Sequence, residues 1–328
     1  MPDFEVHSGW AHKRRWLIAV AAAGVLLYLG VAFWVDAPRL VAALGRLGWP
    51  GAAAVLALSF ASYLLRFQRW HLYILRFGHR LAVPRHLLIY LSGFAFTLSP
   101  GKAGEVIRSW YLREHGVSYA ESLAAFFVER MLDVLAMVLL AAMIVADHPA
   151  YRGLIGGALL VAILVISGVG RPELPRWLDR FASRRRGRVA SGAAGMARLL
   201  RSSTRLLGLW PLTWGVALGV LAWGTLGMGF HLICQGLHIT ISPLASVGIY
   251  AMAVLAGNAA IFLPGGIGGT EVVMVALLRE TGASVQSAVI AALLCSLASL
   301  WFAVLVGIVA ASLVELPQGD RIKSKTKI

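Results

Sequence analysis

The chain has 328 residues, 59% hydrophobic and 14% charged, with a formal charge of +15 and a mean hydropathy of +0.76. A soluble domain has about a quarter of its residues charged, so this composition defines an integral membrane protein. The basic residues fall in short runs between apolar stretches, the pattern of loops facing an anionic cytoplasmic leaflet, and nucleic-acid binding is not expected.

In chain order, residues 1–15 form a basic cytoplasmic N-terminus, and the first apolar run, residues 16–35, follows the string HKRR. It is long for a signal peptide, and VDAPRL after it has no small-x-small cleavage site, so it reads as an anchor. A second span, residues 49–65, ends in the basic string RFQRWHLYILRFGHR, expected at the cytoplasmic surface. Next come an apolar piece at 86–98, the loop SPGKAG, a charged stretch, and a span over 120–145. A further span at 154–169 leads into a basic cytoplasmic loop, 171–205. Residues 212–232 span again, and an apolar piece at 244–263 precedes the loop LPGGIGGT and a second charged stretch. The last span, 288–313, is followed by a basic cytoplasmic tail, 314–328. Each span meets the length of about 20 residues that a bilayer requires, or comes close to it. Residues 16–313 thus read as a single membrane domain. Cys234 and Cys295 lie in apolar segments with no CxxC or histidine spacing, so no metal or other cofactor is expected.

The two charged stretches are copies. EVIRSWYLREHGVS, residues 105–118, and EVVMVALLRETGAS, residues 271–284, agree at seven of fourteen positions, including Glu105/Glu271, Leu112/Leu278, Arg113/Arg279, Gly116/Gly282 and Ser118/Ser284. The repeat units run from about 83 to 145 and from about 243 to 313. If each hairpin enters the membrane and returns on the same side, 25 of the 30 Lys and Arg residues face the cytoplasm, with both termini. If each crossed only once, the ten arginines from Arg171 to Arg205 would lie outside, against the positive-inside bias. The expected fold is therefore an all-α polytopic membrane protein in the cell inner (cytoplasmic) membrane. It contains an inverted-topology repeat with two broken, re-entrant-like helix hairpins and about six full spans.

Candidate site residues follow from the charges that hydrocarbon should exclude. Pro100, Gly101 and Gly104, and Pro264, Gly265 and Gly268, break the helices, and irregular backbone at membrane depth persists only beside protein or a water-filled cavity. The half-helices opening near Glu105 and Glu271 direct free N–H groups toward that cavity, a site for an anion such as a phosphate. Each glutamate equally suits capping its own helix. Arg130 falls about 15 Å from Ala120, near mid-bilayer, where an arginine costs roughly 2.5 to 3.5 kcal/mol. Glu129 and Asp133 are at ion-pairing spacing, so an internal pair and a headgroup site both fit. Lys102 and Arg108 border the same loop, and the lipid-headgroup set is Lys102, Glu105, Arg108, Glu129, Arg130, Asp133 and Glu271. In the second copy Met274 replaces Arg108, and Cys295 and Ser296 replace Glu129 and Arg130.

PGKAGEVIRSWYL with VERMLDVL, and LPGGIGGTEVVMVALL with AALLCSLASLWFAVLVG, resemble the flippase-like membrane region of lysylphosphatidylglycerol synthases and their stand-alone relatives, over about residues 16–313. The resemblance implies movement of a phospholipid or lipid-linked intermediate between leaflets. It carries motif roles to Pro100, Gly101, Gly104, Glu105, Arg108, Glu129 and Arg130, and to Pro264, Gly265, Gly268 and Glu271. Many members of that group have a tyrosine-arginine pair where this chain has Cys295 and Ser296. With no room for an aminoacyl-transfer domain, the chain is expected to be a transporter and not an enzyme. Its expected partners are membrane lipids with phosphate headgroups, and a lipid-biosynthetic enzyme is a further candidate. The alternatives are an intramembrane enzyme acting on a lipid phosphate, or a non-transporting membrane partner of a biosynthetic enzyme.

Single cysteines at Ser183 and Ser284, in a background lacking Cys234 and Cys295, should react with an impermeant maleimide from the cytoplasm and from outside respectively. Labelling of both from one side would remove the inverted arrangement.

Overall fold

The computed structural model describes residues 6–97, 107–146, 149–184, 187–259 and 268–314, and the described residues are helical and contain no strand. The first element, α1 (Val6–Arg76), is one helical run broken at two points, Asp36 and Gly48. Asp36 leaves the helix and accepts a 3.0 Å hydrogen bond from the Arg39 amide, recapping the chain just before Pro38 enters the next turn. Gly48 has φ +59, and Pro50 begins the following stretch. These breaks fall between the first two expected spans.

The second span does not end at Leu65 but runs on to Arg76, because no glycine or proline intervenes between Gly51 and Gly78. Arg66 and Arg69, read from sequence as part of a surface string, are consequently buried. Arg108 is buried as well, so three arginines counted with the cytoplasmic charge belong to the protein interior. The arginine-rich segment that decided orientation is unaffected. Expected as a loop, it folds into two packed helices, α6 (Glu173–Ser183) and α7 (Arg188–Leu206).

The remaining elements are α2 (Val83–Ser92) with a 3-10 turn at Gly93–Phe96, α3 (Ile107–Arg113), α4 (Tyr119–Ala141) with a 3-10 turn at Ala142–Ala146, and α5 (Arg152–Gly170). Then come α8 (Leu209–Gly236), α9 (Pro243–Ala259), α10 (Gly269–Glu280), α11 (Val285–Ser296), a π turn at Leu297–Trp301 and α12 (Phe302–Val314). Among the described residues, four stretches are long and apolar enough to cross a membrane: 33–76, 149–170, 209–236 and 285–314. At 23 residues α4 has the length too, its apolar run interrupted by Glu129, Arg130 and Asp133.

The identities from Leu112/Leu278 to Ser118/Ser284 have one structural meaning: they write the same turn twice. Gly116 and Gly282 sit at φ +84 and +89. Their amides donate to Arg113 O and Arg279 O, each at 3.0 Å. The next amides, Val117 and Ala283, reach back to Leu112 O and Leu278 O, each at 3.2 Å. This double closure is a Schellman motif, for which the left-handed position favours glycine. Ser118 and Ser284 then cap α4 and α11, accepting from the Glu121 and Ser287 amides. The same closure also ends α1 at Gly78 and α8 at His238, one hairpin earlier in each half.

The halves interlock. Helix α4 packs on α9, and α12 packs on α2 and the 3-10 turn after it. Both crossings depend on absent side chains. A β-carbon on Gly307 would overlap the Ala95 amide, and one on Gly248 would lie 3.0 Å from the Ile144 amide. Gly307→Ala should therefore destabilise the protein by about 1–3 kcal/mol through overpacking. Gly224→Ala, where nothing lies within 4 Å, should be neutral or stabilising by up to about 1 kcal/mol. Thermal unfolding in detergent separates the two, and equal midpoints would show that the α12 crossing is looser than described.

Candidate functional site

The site is built where α1, α3, α4 and α8 converge. With 1.5 Å rise per residue, Arg66 lies about 15 Å from the end of α1 at Arg76, and Arg130 about 16 Å from the start of α4. The two arginines are thus at similar depth. Asp133 is the hub: Arg69 Nη2 lies 2.5 Å from its Oδ1, while Arg130 Nη2 and Arg66 Nη2 lie 3.1 and 3.6 Å from its Oδ2. Glu129 is the second acceptor, taking a 2.8 Å hydrogen bond from Tyr90 Oη and lying 3.4 to 3.5 Å from Arg130, Arg69 and Arg108. Among the described residues, four guanidiniums therefore share two carboxylates. Glu129 and Arg108 are 0% exposed, so no water shell dilutes these charges. Desolvation on that scale is tolerated only where each charge is compensated.

Local sequence makes the room. Arg108 lies over the ring of Tyr90 at 4.0 Å, and only a glycine at position 93 leaves space for its guanidinium. Arg69 fits against Gly219, where a β-carbon would lie 2.9 Å from its Nη1, and it donates to Gly215 O at 3.3 Å. On its far side Arg69 borders a groove of about 510 Å³ between α1 and α8, flanked by Arg76, Trp210 and Trp214.

The second half builds a different site. Glu271 accepts from Gly268 N at 2.7 Å, capping α10, and also from Tyr28 Oη at 2.9 Å and Ser296 Oγ at 2.5 Å. This glutamate caps its helix, and it also lines a central cavity of about 80 Å³. Arg66, Tyr63, Trp223, Asn258, Thr270 and Ser299 line it as well. By the measure for which about one probe sphere holds a water, this space takes several. The π turn at Leu297–Trp301 brings Ser299 there: Tyr63 Oη donates to its carbonyl at 2.7 Å, while its hydroxyl donates to Cys295 O at 2.7 Å. Where the first repeat has Glu129 and Arg130, the second thus has a hydroxyl, Ser296, held on a carboxylate.

Of the expected site residues, Arg108, Glu129, Arg130 and Asp133 are brought together in one cluster, while Glu271, bonded to the Gly268 amide, lines the cavity. Pro100, Gly101, Lys102, Gly104, Glu105, Pro264 and Gly265 fall outside the described residues. Sequence reasoning missed Arg66, Arg69, Tyr28 and Tyr90. The arginines had a signal, since a helix unbroken from Gly51 to Gly78 must carry them inward, whereas a tyrosine in an apolar helix announces nothing.

Fold and site together define a multi-pass helical membrane protein with a charged cluster buried beside a small cavity. Residues 17–307 match the family described as the lysylphosphatidylglycerol synthase TM region, and the chain belongs to that family. A UPF0104 membrane protein of Methanothermobacter thermautotrophicus is 26% identical over 330 residues, covering 92% of this chain and 95% of its own length.

The cluster predicts a strong dependence on the innermost arginine. Arg69→Met leaves Asp133 without its shortest partner and should cost about 3–5 kcal/mol. Adding Asp133→Asn should recover most of that loss, a non-additivity measured by a double-mutant cycle on the unfolding midpoint. Independent, additive effects would mean that the pair does not hold α1 to α4.

Proposed function

We propose that this chain is a lipid transporter that moves a phospholipid or lipid-linked intermediate between the leaflets of the cytoplasmic membrane, with both termini in the cytoplasm and its two hairpins entering from opposite sides. The observation that carries the reading is the meeting of four guanidiniums with Glu129 and Asp133 beside a cavity that Arg66 also lines. Charges at membrane depth are expensive, and intramembrane ionisable groups mark substrate paths by default. The family adds support, as a membrane region attached elsewhere to lipid-synthesising domains.

Sidedness has its own support in the contacts. At one end of the bundle Arg39 donates to Ser284 at 2.7 Å, and Tyr151 to Glu280 at 2.9 Å. At the other end His79 meets Glu121 at 3.1 Å, Arg85 donates to His115 at 3.2 Å, and Arg76 to the Arg205 carbonyl at 3.3 Å. The matched turns thus keep company with loops that α1 separates by a membrane-length helix. Such pairing supports the inverted reading, an arrangement that alternating-access transporters build from repeats.

The test is purified protein in liposomes with headgroup-labelled phosphatidylglycerol. Wild type should expose label to an external quencher faster than protein-free vesicles, with the lipid chemically unchanged. Arg130→Ala should remain folded, because Asp133 keeps Arg69 at 2.5 Å, yet slow transfer at least about tenfold. Arg130→Lys, which keeps the charge but not the fork geometry, should fall between. Conversion of the headgroup would instead mark an enzyme acting on the lipid, and no movement of any phospholipid would leave a non-transporting partner.

A further inference from the structure

Arg66 is the cluster member that the cluster does not need. Asp133 already has Arg69 at 2.5 Å and Arg130 at 3.1 Å, while Arg66 stands off at 3.6 Å, beyond hydrogen-bond range. The residue is only 6% exposed, and its Nε and Nη2 have no hydrogen-bond partner. A buried guanidinium with unmade bonds at mid-membrane depth calls for an explanation, because such donors are almost always satisfied. Its surroundings hold it in place without satisfying it: the rings of Trp223 and Phe94 lie 5.1 and 5.6 Å from its central carbon. It lines the central cavity, to which Asn258 and Thr270 bring neutral donors. Glu271 lines the cavity too, but its oxygens already accept from Tyr28, Ser296 and the Gly268 amide.

We propose that Arg66, with Asn258 and Thr270, forms an anion site in the central cavity that receives a phosphate-type oxo group. A charged fork among neutral donors is what a phosphate monoester or diester requires. The inference deepens the transporter reading and rests on it only for the identity of the carrier, either a lipid headgroup or a free phosphate. Arg66 comes from α1, while Asn258 and Thr270 belong to the second repeat, so a bound anion joins α1 to that repeat.

The experiment uses the full chain in lipid-depleted detergent, incubated with mixed micelles of phosphatidylglycerol and diacylglycerol and examined by native mass spectrometry. Wild type should retain phosphatidylglycerol in preference to diacylglycerol. Arg66→Gln should lose that preference at least about tenfold, the loss of a hydrogen-bonded charge, and Arg66→Lys should lie between. Because Asp133 keeps two arginines, the ligand-free unfolding midpoint of Arg66→Gln should match wild type. Competition by inorganic phosphate at fixed ionic strength assigns recognition to the phosphate group alone. Failure to compete, with retention still dependent on Arg66, assigns it to the lipid. Unchanged retention in Arg66→Gln, or a midpoint that falls in step with retention, overturns the site. Arg66-dependent retention without transfer in liposomes would remove the transporter reading and leave the site standing. Full-rate transfer by Arg66→Gln would do the reverse.

Discussion

The structure depends on the contact between Arg69 and Asp133. It joins α1 to α4 in the interior of a membrane protein, where the alternative for each partner is an unpaired charge in hydrocarbon. Much of the local architecture is shaped to admit it. Gly219 of α8 stands aside for the guanidinium, the Gly215 carbonyl accepts from it, α1 continues past Leu65 to deliver it, and Glu129 lies one turn away to share it. The hydrophobic effect does not drive helices together within lipid, so close packing and polar contacts must supply specificity. A charged hub whose partners come from different helices fixes register far more sharply than apolar surfaces that slide.

The repeated stretch shows how much a sequence says without giving its reason. Its identities at Leu112, Arg113, Gly116 and Ser118, matched at Leu278, Arg279, Gly282 and Ser284, are backbone chemistry: two carbonyl acceptors, a left-handed glycine and a serine cap. None of these requires a substrate. The chemistry changes where the copies differ. Arg108 becomes Met274, Glu129 and Arg130 become Cys295 and Ser296, and Asp133 corresponds to Ser299. One scaffold therefore presents an ionic wall in the first half and a hydroxyl wall around one carboxylate in the second.

The fold class and the heart of the site were legible because membrane sequences are written in few symbols. Charges inside an apolar run, as at Glu129, Arg130 and Asp133, stand out against their background, and spacing alone brings them to one face. Arg66 and Arg69 carry the same charge but follow the apolar run instead of interrupting it, so they imitate a loop. Only the lack of a helix breaker before Gly78 distinguishes the cases. The basic segment misled in the opposite sense: its polarity places it outside the bilayer, but polarity does not prevent helix formation, and α6 and α7 result. Tyr28 and Tyr90 were beyond reach, since their hydroxyls matter only through the partners that folding brings.

The asymmetry between the walls bears on how such a cavity would work. An anion held by Arg66 sits among rings and neutral donors, with the strongly paired arginines behind it bound to Asp133 and Glu129. Binding therefore need not break the ion pairs that hold α1 to α4, and a site that leaves its scaffold intact can release what it binds. The interlocked crossings, α12 on the first hairpin and α4 on the second, mean that movement of either hairpin is felt by the helix completing the other half. Gly307 and Gly248 let those contacts run backbone against backbone, with no flexible side chain to absorb a shift. Stiff crossings around a loosely filled cavity favour motion of the halves as bodies, the mode by which two arrangements can alternate around one fixed site.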